Sequence, residues 1–174
     1  MTQWSGFPIP RKLDPLRQLQ EQDPDVLLAL VGWAEARGEI ATHGYVAPYA
    51  VMRVVLNRVK VRKLSVPEII LQSTVLKGRR IWQFSFWSHD DPRTPVIEPD
   101  DPNYIRLLHQ SLDPTYDACW WLAAGALQGH LSHDPTFGST HYYNPAVVKP
   151  SWGRGATTWD ERVTIGSHVF GVAG

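Results

Sequence analysis

The chain contains a single cysteine, Cys119, among its 174 residues. One thiol cannot form an internal disulfide, so the fold does not depend on one, and a paired-cysteine zinc site is excluded. Cys119 sits in Ala118-Cys119-Trp120-Trp121, within a helical pattern, and is expected to be a buried structural thiol rather than a nucleophile. Net charge is also lacking: Lys plus Arg (17) equals Asp plus Glu (17). No bulk field therefore points to nucleic acid or a membrane surface. No run of about 18 apolar residues exists, so no membrane span is expected. The opening Met1-Thr2-Gln3-Trp4-Ser5-Gly6-Phe7-Pro8 lacks the basic and apolar regions of a secretory signal. Export by another protein is then expected if the chain acts outside the cytoplasm. Seven histidines are present, but no His-Glu-x-x-His. His130-Leu131-Ser132-His133-Asp134 could supply ligands, yet such a loop reads more simply as polar surface. Ser and Cys triad signatures are missing. Neither a metal nor a cofactor is expected, and no internal repeat or low-complexity segment is seen.

What is present is apolar and aromatic. Hydrophobic residues are 43%, with eight Trp, so the chain is globular and long enough for a sizeable core. The tryptophans fit a large aromatic core or a saccharide cleft with flat apolar faces, and different residues can serve each. A local basic run, Arg58, Lys60, Arg62 and Lys63, is followed by Lys77, Arg79 and Arg80. It reads as a solvated helix end, or alternatively as a contact for an anionic polymer such as a bacterial wall.

Residues 1–22 are Pro-containing and polar, expected as an N-terminal arm packed on a single domain over 23–174. Asp23 as N-cap and Pro24 in the first turn open a helix to about Ala36, with Gly38 as its stop. Ile40 to Tyr45 reads as a connection. A second helix starts near Ala47, with Ala50, Val51, Val54, Val55 and Val59 at helical spacing. Ser65-Val66-Pro67-Glu68 fits a capping box for a short helix, broken by Lys77-Gly78-Arg79-Arg80. Trp82-Gln83-Phe84-Ser85-Phe86-Trp87 alternates aromatic and polar residues, as a strand or an extended cleft wall does. Residues 88–102 read as loop. Asp101-Pro102 and Asp113-Pro114 each open a helix. Later, Phe137 to Pro145 reads as turn and strand, and Arg162–Phe170 as a hairpin about Gly166-Ser167. The pattern is α+β, mostly helical, with a small C-terminal β-region.

One carboxylate is oddly placed. Trp33-Ala34-Glu35-Ala36-Arg37-Gly38-Glu39 ends an apolar helix-patterned run. Apolar neighbours and helix C-terminal carbonyls disfavour the charged form of Glu35. An acid that keeps its proton near neutral pH is what general-acid catalysis requires. A late-helix glutamate is more commonly a solvated surface charge, and Arg37 or Arg53 could pair with it. On this segment alone the alternatives stand.

Three segments change the weighting. They are Ala34-Glu35-Ala36-Arg37-Gly38-Glu39 with Asn57-Arg58, then Gln83-Phe84-Ser85-Phe86-Trp87, then Thr140-His141-Tyr142-Tyr143-Asn144-Pro145 with Ser151-Trp152. In this order and spacing they resemble the SleB/CwlJ family of cell-wall hydrolases, known from spore cortex-lytic enzymes and phage lysins. The resemblance covers roughly residues 25–170. It implies a lysozyme-like α+β fold and cleavage of the β-1,4 bond between N-acetylmuramic acid and N-acetylglucosamine, often as a lytic transglycosylase. It maps the catalytic acid onto Glu35. Two departures are visible. Trp33-Ala34 precedes Glu35 where the pattern often has an aromatic and Gly, and a Pro-rich insertion occupies 91–102.

Glycosidases that hydrolyse usually pair the acid with a second carboxylate, about 5–5.5 Å away for retention or about 6.5–9.5 Å for inversion. A lytic transglycosylase can use one. The two later motifs contain no carboxylate, which favours transglycosylation. Glu39 is the competitor for a second role, but Gly38 argues against a continuing helix, so Glu39 is read as structural or substrate-orienting. Gln83, Ser85, Tyr143 and Asn144 are candidates for holding N-acetyl groups and ring hydroxyls, with Asn144-Pro145 alternatively ordinary turn chemistry. His141 could orient Glu35 or a loop. A hydrolytic muramidase and a non-catalytic wall-binding module are the alternatives. Peptidoglycan strands are the expected partner of a monomeric chain, and the missing export signal suggests a phage lysin freed by another protein or carried on the virion.

Overall fold

A computed structural model describes residues 8–87, 102–150 and 158–174. The architecture is mixed helix and sheet, as the α+β pattern predicts. Helix α1, Pro24–Ala36, is apolar on all sides and buried almost throughout. A helix of that kind belongs at the centre of a core. Around it pack α3 (Val46–Arg62), α4 (Val66–Ile70) and α6 (Pro114–Leu127). The α1–α3 contact is close because Gly32 has no side chain. A Cβ there would lie 2.9 Å from the Pro48 carbonyl oxygen and 2.4 Å from Met52 Cε. Helix α5, Pro102–Ser111, contributes Ile105 to the core. Three of the tryptophans, Trp33, Trp87 and Trp120, are core. So is Cys119, whose thiol burial pushes up to about 12.

The Asp-Pro openings form helices, but their caps differ. Asp113 accepts the Thr115 N–H at 2.8 Å. Asp23 makes no side-chain cap bond and instead pairs with Arg11 at 2.9 Å. Ser65 and Glu68 form the capping box on α4. The segment before α1 is fastened to the body: Leu13 and Leu19 are buried in the main core, and Tyr116 Oη donates to the Arg11 carbonyl at 3.0 Å.

Two local expectations differ from the structure. Ile40 to Tyr45 is not an open connection. The chain leaves α1 through a 3₁₀ turn at Arg37–Glu39 and forms α2, Ile40–His43. The aromatic segment is not one extended wall either. Strands β1 (Ser73–Leu76) and β2 (Arg79–Trp82) form an antiparallel hairpin, and a 3₁₀ turn follows at Ser85–Trp87. Phe84 and Trp87 are both buried. A three-residue turn brings i and i+3 to one side, which an alternating strand cannot. Trp87 Nε1 then donates to the Ile70 carbonyl at 3.2 Å.

The late β-region is a three-stranded antiparallel sheet of β3 (His141–Tyr143), β4 (Trp159–Ile165) and β5 (His168–Ala173), in the order β3-β5-β4. It rests on α3. Ala50 and Val54 pack with Phe170, Tyr142, Val163 and Ile165, while Val51, Met52 and Val55 serve the main core. One helix thus carries two apolar faces and joins the helical body to the sheet.

Candidate active site

Glu35 lies in the last turn of α1, half-buried. Its Oε1 accepts the Phe86 N–H at 3.1 Å, and its Oε2 accepts the Tyr142 hydroxyl at 2.9 Å. All three sequence segments therefore meet at this carboxylate. Arg37, which could have paired with it, lies over Trp33 instead. Its guanidinium lies 4.4 Å from the Trp33 ring centroid. Arg53 faces Asp134 at 3.9 Å.

Tyr142 reaches Glu35 because β3 alternates. Tyr142 points toward α3, stacked on Phe170 at 5.6 Å, while Tyr143 points the other way against Trp159 at 5.9 Å. Burial raises the Tyr142 phenol well above its ordinary value, and the neighbouring Glu35 charge and hydrogen bond add to that. The phenol therefore remains a donor. If Glu35 is the acid the resemblance implies, Tyr142→Phe is expected to lower kcat roughly tenfold or more, because this hydrogen bond strengthens as the acid gives up its proton. KM should change little, and the melting temperature should fall only by the modest amount that one hydrogen bond contributes. A fall in stability without a kcat effect would show a packing role instead.

Asn57 and Arg58 hold the approach to β3. Asn57 Nδ2 donates to Asp134 Oδ2 and to the Ser139 carbonyl, both at 2.9 Å. Arg58 Nε donates to the Thr140 carbonyl at 2.6 Å, and its guanidinium lies 5.6 Å from the Phe84 ring. Buried Arg58 thus touches both chain segments that supply donors to Glu35. Burial lowers its guanidinium to about 10, so it remains a cation at neutral pH. Asp134, in the loop that could have held a metal, is used internally. It accepts the Thr136 N–H at 2.9 Å and the Gly138 N–H at 2.8 Å.

The other predicted residues divide. Glu39 is turned to the β4–β5 hairpin. It pairs with His168 Nδ1 at 2.7 Å and accepts the Ser167 N–H at 3.2 Å and the Ser167 hydroxyl. Gly166 is required there: φ is +60°, and a Cβ would fall 1.7 Å from Glu39 Oε2. Asn144 closes its own turn by accepting the Ala146 N–H at 2.9 Å, and it donates to Ser167 Oγ at 3.2 Å. Gln83 is exposed at the end of the β1–β2 hairpin, its backbone N–H on the Gln72 carbonyl at 3.0 Å. Ser85 is in the 3₁₀ turn beside Phe86. His141 shares a hydrogen bond with Thr140 Oγ1 at 3.0 Å. Ser151-Trp152 and the insertion to Asp101 lie outside the described residues.

Burial, with Arg58 and Arg62 nearby, pushes His141 down to about 4 from an ordinary 6.5. The unfolded chain therefore takes this proton first, and stability is complete above about 6.5 and falls toward 4. For Asp134, burial alone would raise the carboxyl, but donors from Thr136, Asn57 and Gly138 outweigh it and hold it below its ordinary value. Its contribution is likewise lost on further acidification. Thermal unfolding should show a plateau near neutrality and a decline from pH 6.5 to 4. His141, discounted for its partial exposure, should account for ~1–3 kcal/mol of this loss. His141→Gln should flatten the upper part of the window; an unchanged slope in that variant would remove His141 as the cause.

Comparison with known proteins gives one finding of identity. A family model described as Cell Wall Hydrolase matches residues 42–171. The chain belongs to this cell wall hydrolase family. The matched span runs from α2 to β5 and includes Asn57-Arg58, the Phe86 turn and Tyr142, while Glu35 lies just upstream of it on α1. Searches of curated proteins and of solved structures found no match. Family membership supports a peptidoglycan-degrading enzyme.

Tyr142 and the Phe86 N–H are the site groups that sequence reasoning missed. The strand signal around His141–Tyr143 could have separated Tyr142 from Tyr143, since alternation places only one on the core face. A backbone N–H carries no side-chain signal at all.

Proposed function

We propose that this cell wall hydrolase cleaves the β-1,4 bond between N-acetylmuramic acid and N-acetylglucosamine as a lytic transglycosylase, with Glu35 as the only acid/base. One observation supports this best. Glu35 is the carboxylate on which the sequence segments converge, accepting from Phe86 N–H and Tyr142 Oη, while Glu39 is engaged by His168 and Ser167. Glu35 protonates the glycosidic oxygen, and the C1–O bond breaks. The resulting carboxylate takes the proton of the muramic 6-hydroxyl, whose oxygen bonds to C1 of its own ring. The product is a 1,6-anhydro end. Intramolecular attack needs no water-activating base and gains from proximity. Gln83, Ser85, His141 and Tyr143 are proposed to face the glycan, with Asn144 and Glu39 shaping the turn beside it. In this proposal residues 23–174 are one lysozyme-like catalytic domain, with 1–22 as its arm, in a phage lysin freed by another protein or carried on the virion.

Mass spectrometry of muropeptides from purified sacculi tests the chemistry. Anhydro ends are expected. Reducing ends would replace this mechanism with a muramidase in which water attacks C1. No released fragment would leave a binding module.

A further inference from the structure

Charge is unevenly placed in this neutral chain. Residues 40–87 hold eight Lys and Arg against one acid, Glu68. Arg53 faces Asp134, and Arg58 is buried. The remaining described cations emerge together. Lys60, Arg62 and Lys63 form the exposed last turn of α3, and Lys77 and Arg80 are exposed on the β1–β2 hairpin. The two elements touch: Arg62 Nη1 donates to Gln72 Oε1, at the root of β1. Beside it, Arg80 Nη1 donates to Ser73 Oγ at 3.3 Å, with its guanidinium 5.4 Å from the Trp82 ring. Each strand is four residues long, so the Lys77 tip stands only ~13 Å beyond that junction. The single acid, Glu68, is turned to Ser65 in the α4 cap.

This surface is continuous with the site. Strand β2 ends at Trp82 and runs directly into the turn whose Phe86 N–H holds Glu35. Asn57 and Arg58, which position the loop into β3, precede Lys60 on the same helix. A polymer whose glycan lies at Glu35 would carry its side branches past these cations.

We propose that the α3 C-terminal turn and the β1–β2 hairpin form a carboxylate-binding surface for the stem peptides of peptidoglycan. This rests on the wall-degrading reading above. The stem peptides are regularly spaced branches with free carboxylates. Exposed ammonium and guanidinium groups attract such charges in a salt-screened manner and raise the local concentration of the polymer. The surface supplies capture and orientation, not chemistry.

The test uses the full chain and the triple variant Lys60→Gln, Lys63→Asn, Lys77→Asn. Asn suits Lys63 (φ 59°) and Lys77 (φ 51°), which have left-handed backbones. The substitutions leave the Arg62–Gln72 and Arg80–Trp82 contacts in place. Co-sedimentation with purified sacculi freed of wall phosphate polymers is measured against salt. The parent should bind more weakly as salt rises, and the variant should bind about tenfold more weakly at low salt, with a flatter salt dependence. Amidating the sacculus carboxylates should erase the difference. Turnover of peptide-free glycan chains should be equal in the two proteins. Equal binding to untreated sacculi overturns the proposal. So does a parent–variant difference that appears only when phosphate polymers are present, or one that is larger on duplex DNA than on sacculi. If the parent releases no glycan fragments yet shows the carboxylate-dependent binding, the enzyme reading fails and the surface stands.

Discussion

Glu35→Gln should reduce muropeptide release from purified sacculi by roughly 10²–10⁴-fold, the usual contribution of a positioned general acid. The amide is isosteric and can keep the hydrogen bonds to Phe86 and Tyr142. Its oxygen can accept the Phe86 N–H, and its NH₂ can donate to Tyr142 Oη, which accepts as well as donates. The melting temperature and sacculus co-sedimentation should therefore match the parent. That combination separates chemistry from packing. A variant that loses turnover and stability together would show that Glu35 serves as a clamp between α1, the Phe86 turn and β3. A variant with parental turnover would remove Glu35 from the reaction, whatever its geometry. Glu35→Ala is a weaker experiment, because it leaves both donors without their partner and costs stability for that reason alone.

How much of this was legible from residues alone follows from what each signal encodes. Helices α1, α3, α4, α5 and α6 were readable because Asp-Pro openings, a capping box and apolar spacing all act locally. The β4–β5 hairpin was readable from strand-forming residues on either side of Gly166-Ser167. The aromatic segment misled because its alternation mimics a strand. Burial of Phe84 and Trp87 is a tertiary demand that favours a 3₁₀ turn. Short α2 was missed because four residues carry too little periodicity to register. At the site, Glu35 stood out by its apolar context. Its partners did not, since one is a backbone N–H and the other is distinguished from Tyr143 only by strand phase. The function of Asn57-Arg58 was opaque for a similar reason: both act on carbonyls and a loop about 80 residues away.

Among the described residues, Glu39 is the carboxylate that competes for a second catalytic role. If it were the second catalytic group of a hydrolase, Glu39→Gln would abolish turnover at little cost to folding. The structure predicts the opposite balance. Glu39 and His168 are both mostly buried, with side chains 14% and 12% exposed, and their contact at 2.7 Å ties the 3₁₀ turn after α1 to the β4–β5 hairpin. Replacing the carboxylate weakens its hydrogen bonds to His168 and Ser167, at a cost of about 1.5–3 kcal/mol. The consequence spreads along β5. His168 lies 5.3 Å from the Tyr142 ring and Phe170 stacks on that ring at 5.6 Å, so a loosened hairpin relaxes the residue that donates to Glu35. Glu39→Gln should thus unfold at a clearly lower temperature. Well below that temperature it should retain turnover within about tenfold of the parent, because Glu35, the proposed acid, is untouched. Its products should keep the same chain ends. Turnover as low as that of Glu35→Gln in a protein of parental stability would instead make Glu39 a second reacting carboxylate, and the single-acid mechanism would give way to hydrolysis.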